Sequence, residues 1–160
     1  VQVQREHQIV AGALGLSDSY RLAAYGAGQR WNDSGNDAPD FVWGDVTAPN
    51  TVTVTETNDS SRFATGWTDG ASCPFTNRNV VLNRAYIGED LGQAGSTAAH
   101  EFGHALGLRH DPFHDGDATY VLKPEDCPLV SLMFWRQDKY PVCGIDRPTT
   151  YDNNAINAAY

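Results

Sequence analysis

The sequence predicts an α+β fold, and three observations point to it. Ser17–Trp31 places Tyr20, Leu22, Ala23, Ala27 and Trp31 at helical spacing, with Ser17 or Asp18 able to cap the start and Asn32-Asp33-Ser34-Gly35 to stop it. Thr51-Val52-Thr53-Val54-Thr55-Glu56-Thr57 is β-branched almost throughout, the strongest strand signal in the chain. Beyond Gly107 the periodicity fades into a segment rich in Pro, Asp and Gly before a short closing helix.

Taken in order, residues 1–16 are ambiguous, because Val1 and Val3 alternate like a strand while His7–Leu14 suits a helix. Phe41–Val46 predicts a strand, Asn58–Ser61 a turn, and Arg62–Trp67 a short edge strand. A loop through Pro74 leads to a further strand over Asn79–Tyr86, and Gly88–Gly95 predicts a loop. Ser96 or Thr97 is expected to open a helix that runs to Leu106 and ends at Gly107. Asp111–Gln137 is irregular, and Tyr151–Tyr160 closes the chain as a helix carrying Ala155, Ile156 and Ala159 on one side. There is no internal repeat.

Composition narrows the function. The 160 residues suit one globular domain. Hydrophobic residues make up 41% and charged residues 19%, which excludes disorder as the default state. Eleven basic against 20 acidic residues give a net charge of -9, and the basic ones are scattered. Nucleic acid and anionic membranes are therefore not expected partners. No apolar run approaches the roughly 20 residues of a membrane span. The chain begins Val1-Gln2-Val3, like a product of cleavage, with no signal peptide and no initial Met. Its three cysteines, Cys73, Cys127 and Cys143, show no CxxC spacing and allow three pairings. Cys127–Cys143 is the favoured one, closing a loop-rich stretch at a gain of about 3 kcal/mol. These features together point to an oxidising, extracellular location for a processed mature form.

The chemistry is concentrated in His100-Glu101-Phe102-Gly103-His104-Ala105-Leu106-Gly107-Leu108-Arg109-His110-Asp111. On a helix, residues i and i+4 stand one above the other, so His100 and His104 can offer imidazoles to one ion. Glu101 lies beside them as a general base. Gly107 can adopt the left-handed conformation that ends the helix and lets the chain bring back His110 as third ligand. Three histidines leave the fourth position of a tetrahedral zinc open for water, the mark of a catalytic site. Such a pattern arises by chance in about one window per ten million. Four of the five histidines lie between His100 and His114, and the single methionine, Met133, follows downstream.

These residues resemble the metzincin zinc endopeptidases, whose pattern H-E-x-x-H-x-x-G-x-x-H-D is followed by a methionine in a tight turn. The resemblance implies a twisted, mostly parallel sheet with an active-site helix, and a small loop-rich lower subdomain ending in a helix. Residues 1–160 would form one catalytic domain, divided into an upper subdomain (1–107) and a lower one (108–160). It implies Zn²⁺ on His100, His104 and His110, Glu101 as catalytic base, and Met133 in the turn beneath. The expected activity is that of a secreted endopeptidase which activates a water to cut internal peptide bonds. A monomer that binds protein or peptide substrates in extended form along a strand edge is expected. Phe134 and Trp135 are candidate walls of the substrate pocket. Within the clan, Asp111 is similar to adamalysins and HEFGHALGL to matrixins. The small size and the Cys127…Met133…Cys143 segment look like snapalysins, which usually carry Asp where this chain has His110. Astacins and serralysins have Tyr at the position of Trp135.

Two neighbouring features belong with the motif. Asp111 is expected to bond backbone beneath the site, and Asp115-Gly116-Asp117 is a candidate Ca²⁺ loop. A catalytically silent zinc-binding module would have no need of Glu101, so the sequence favours an enzyme.

Overall fold

The computed structural model describes residues 8–44, 51–69 and 78–160. Cys73 and the last two positions of the expected Phe41–Val46 strand lie outside them. The sheet is built from β1 (Gln8–Leu14), β2 (Asp40–Trp43), β3 (Thr51–Thr57), β4 (Gly66–Asp69) and β5 (Arg78–Asn83) in the order β2-β1-β3-β5-β4. Every pair is parallel except β4–β5, where Gly66 pairs with Leu82 and Asp69 with Asn79. Within the ambiguous segment 1–16, Gln8–Leu14 is a strand flanked by β2 and β3, and residues 1–7 lie outside the described residues.

The described residues also form the helices α1 (Asp18–Asn32), α2 (Arg84–Ile87), α3 (Leu91–Ala105), α4 (Lys139–Cys143) and α5 (Thr150–Ala159). A 3-10 turn spans Pro124–Leu129. Helices α1 and α3 pack against each other and against the sheet. Trp31 Nε1 ties them by donating to Ala99 O at 2.8 Å, and Phe41 stacks on Phe102 at 4.7 Å. Tyr20 and Phe102 are fully buried, and each such side chain contributes up to about 3 kcal/mol of hydrophobic stabilisation. The main core continues past Gly107 through Leu108, Leu132, Met133 and Ile156. A second small cluster of Leu122, Val130 and Phe134 lies in the irregular segment.

Three element boundaries differ from the sequence reading. Helix α3 begins at Leu91 rather than at Ser96 or Thr97, because Asp90 accepts hydrogen bonds from Gly92 N (2.9 Å) and Gln93 N (3.0 Å). The glycines that read as a loop are points of close approach. Tyr140 occupies the space a β-carbon on Gly92 would need, and Arg30 does the same at Gly95. The Asn79–Tyr86 strand is cut short at Asn83, whose side chain caps α2 through Ala85 N. The edge strand starts at Gly66, not Arg62, since residues 62–65 turn around Asn83.

Candidate metal centre

Helix α3 delivers His100 and His104 one turn apart, and both imidazoles face His110. Gly107 makes this possible with φ of 93°, while Leu108 N donates back to Gly103 O at 3.0 Å and closes the helix end. The chain then reverses. Candidate ligand atoms of His100, His104 and His110 all lie within 4.8 Å of one another. Among the described residues these three form the group that could hold a metal ion.

The donor chemistry fits a metal. His100 Nδ1 lies 2.8 Å from Leu132 O, and His104 Nδ1 lies 2.8 Å from Leu108 O. A carbonyl only accepts, so both Nδ1 atoms carry the proton and both Nε2 lone pairs are left for an ion. Burial holds His100 well below the ordinary imidazole range and brings His104 down to about 4; His110 is lowered for the same reason, against an opposing pull from Asp115. All three imidazoles are therefore neutral at neutral pH, the form that binds metal. His110 Nδ1 lies 3.5 Å from Asp115 Oδ1, a carboxylate that orients the ring.

Glu101 is 5% exposed and lines the same cleft as His100 and His110. Burial raises its carboxyl to about 7, opposed mainly by a hydrogen bond with Thr68. Thr68 Oγ1 lies 2.8 Å from Glu101 Oε2 and 2.9 Å from Glu101 O. Gly66, just before Thr68 on β4, allows this approach. A β-carbon there would meet Thr97 Cγ2 at 2.8 Å and Val81 O at 2.9 Å.

The floor is the turn at Met133. Met133 is 2% exposed, and its sulfur packs against Gly103 on α3. Asp111 holds the turn from one side: its N donates to Met133 O at 2.9 Å, and its carboxylate accepts from Ser131 N and Phe113 N. Asp152 of α5 holds it from the other side, accepting from Leu132 N at 2.9 Å and Met133 N at 3.2 Å. Asp152 was missed in the sequence, though Thr149-x-x-Asp152 is a capping-box spacing that marks it out.

The cleft encloses about 710 Å³ and is lined by Phe63–Gly66, Tyr86 and Trp135–Lys139 together with His100, Glu101 and His110. Trp135 lines it, whereas Phe134 is fully buried with Leu122 and Val130. Asn83 is a second residue that sequence reasoning missed. Fully buried, it donates to Asp59 O and Ala64 O and so shapes the 59–64 rim. Cys127 and Cys143 form a disulfide joining the 3-10 turn to α4. Asp115 is exposed beside His110, and Asp117 accepts from Thr119 N and Oγ1. No helix among the described residues is long and apolar enough to cross a membrane.

No family model matches this chain, and no curated protein matches it. Solved structures do. The crystal structure of myroilysin superimposes with a TM-score of 0.55 at 16% identity, covering 96% of this chain and 82% of that one. The fold is metzincin-like. A second myroilysin structure aligns at a TM-score of 0.49 and 17% identity, over 91% of this chain and 70% of that one. At such identities the likeness concerns architecture, and the chemistry rests on the residues of this chain.

Proposed function

We propose that this protein is a secreted, zinc-dependent endopeptidase. The observation that carries the proposal is the convergence of three neutral imidazoles, His100 buried, His104 half-buried and His110 exposed, beside Glu101, which lines an open cleft with His100 and His110. A carboxylate is not needed to hold the ion, yet one is placed next to the ligands and tuned to about 7, close to the ideal for a general base at neutral pH. Three histidines with an open fourth position are a catalytic zinc donor set. Zinc held there supplies a Lewis acid that polarises a carbonyl and brings the pKa of water towards about 7.

The chain's own residues do the rest. Glu101 accepts the proton of the attacking water and carries it to the leaving amine. Thr68 holds the Glu101 carboxylate in place. Strand β4 is the sheet's terminal strand, paired with β5 on one side, and the segment entering it lines the cleft. An extended peptide is proposed to lie along this edge, with its backbone hydrogen-bonded as an added strand. Trp135 forms part of the cleft wall. The protein is proposed to act as a monomer.

The deciding experiment is casein hydrolysis by wild type and Glu101→Gln, with zinc measured in both. Hydrolysis by the wild type and loss of activity in a variant that still carries one zinc supports the proposal. A zinc-loaded wild type that does not cut casein or any unfolded protein overturns it.

A further inference from the structure

The cleft contains a cation that the hydrolytic chemistry does not use. Lys139, at the start of α4, lines the cleft beside His100 and Glu101 and is only 4% exposed. An ammonium has three N–H donors. Among the described residues, the bond recorded for Lys139 Nζ is a long one to Arg136 O at 3.4 Å. No carboxylate forms an ion pair with it among the described residues, and Asp138 Oδ1 is itself buried without a hydrogen-bond partner. Asp138 is paired with Arg136 Nε at 3.0 Å, and the Glu101 carboxylate is held by Thr68. Burial pushes the Lys139 amine down to about 8, with Glu101, Asp138 and Asp152 pulling it back up. A buried ammonium without a close counter-charge is costly, so a partner that arrives with the substrate would relieve the cost.

The charge balance selects that partner. Arg136 and Asp138 cancel. The three imidazoles are neutral. A divalent ion held by them would outweigh Glu101, and Lys139 offsets Asp152, so the cleft would keep a net positive charge. We propose that Lys139 forms a carboxylate-binding subsite beside the metal centre, so that the enzyme prefers peptides presenting a carboxylate next to the scissile bond. This inference rests on the peptidase reading. The carboxylate has two sources, an Asp or Glu side chain flanking the cut or the free C-terminus of the peptide.

The test uses the zinc-loaded full chain and three peptides of one sequence. The first carries Glu beside the cleaved bond with blocked ends, the second carries Gln there with blocked ends, and the third carries Gln with a free C-terminal carboxylate. A wild-type kcat/KM for the Glu peptide or the free-carboxylate peptide that exceeds the blocked Gln peptide by about tenfold or more is expected, and the faster of the two names the source. In Lys139→Met the ratio of the carboxylate peptides to the blocked Gln peptide should fall to about one, whatever the basal rate becomes. Lys139→Arg should restore it. Equal rates for all three peptides with wild type overturn the subsite. So does a Lys139→Met variant that slows every peptide alike, since that marks a residue acting through Glu101. If no peptide is cut, the peptidase reading fails. The subsite is then judged by calorimetric binding of the same peptides to the zinc-loaded wild type, where equal affinities overturn it and tighter binding of a carboxylate peptide supports it.

Discussion

Met133 packs its sulfur into the space that a β-carbon on Gly103 would require, so helix α3 and the turn beneath it touch without a gap. Trp31 Cζ2, at 3.0 Å from the same point, closes the other side. Gly103→Ala gains helix propensity of up to about 1 kcal/mol, but overpacking a closed site costs about 1–3 kcal/mol. Met133 cannot retreat easily, because Asp152 and Asp111 hold its backbone. A net loss of about 1 kcal/mol is expected, seen as a fall of about 2–4 °C in the thermal midpoint. Peptidase activity should fall further than stability does, because Leu132 O orients His100. An unchanged midpoint with unchanged activity would show that the contact is loose.

Asp152 holds the same turn from the far end of the chain. Its carboxylate accepts from Leu132 N, Met133 N, Thr149 N and Thr149 Oγ1 while only 1% exposed. Asp152→Ala leaves buried N–H groups without acceptors and should cost about 3 kcal/mol. Asp152→Asn can keep the three bonds made to Oδ2 and should cost less. Denaturant unfolding of the two variants tests the order, and an alanine variant as stable as wild type would remove the role given to Asp152.

Thr68 sets the pH range of the base. In the proposed role Glu101 would work only when ionised, and the Thr68 hydrogen bond favours the ionised form. Thr68→Val therefore raises the Glu101 carboxyl further. The acidic limb of kcat/KM should move to higher pH by about one pH unit, and the variant should approach wild-type rates in alkaline buffer. A loss of activity equal at every pH would show that Thr68 acts on geometry alone.

Zinc retention should outlast the ordinary histidine range. Protons compete with metal for an imidazole, and burial lowers the proton affinity of all three ligands. The sign follows directly: a depressed pKa means that protons win only at lower pH. Zinc should stay bound through about pH 6 and leave as the pH nears the His104 value of about 4. Zinc content after equilibration at stepped pH gives the midpoint, and a midpoint near the pKa of a free histidine would contradict the buried site.

Much of the centre was readable from spacing alone. The i, i+4 histidines, the glycine with positive φ and the distant methionine each have a local rule that leaves a trace in one sequence. Strand β3 was equally plain from its β-branched run. What escaped was set by tertiary contacts. Gly92 and Gly95 looked like loop residues because nothing local reveals that Tyr140 and Arg30 fill the space beside them. Asn83 looked like one more strand residue, yet it ends the strand and holds the cleft rim. Phe134, adjacent to Met133, was expected at the pocket, but the turn sends it into the lower core and leaves Trp135 in the cleft.

The Cys127–Cys143 bond closes a covalent ring that contains Met133, Trp135 and Lys139. If the proposed activity holds, concentrated protein meets other copies of itself, and a cut in this irregular segment is one outcome. Any single cleavage between the two cysteines leaves both new ends tethered, so the nicked chain keeps its turn, its cleft wall and its lysine at the same local concentration. Self-digestion at this place would change the molecule's appearance on a reducing gel before it changed what the molecule does.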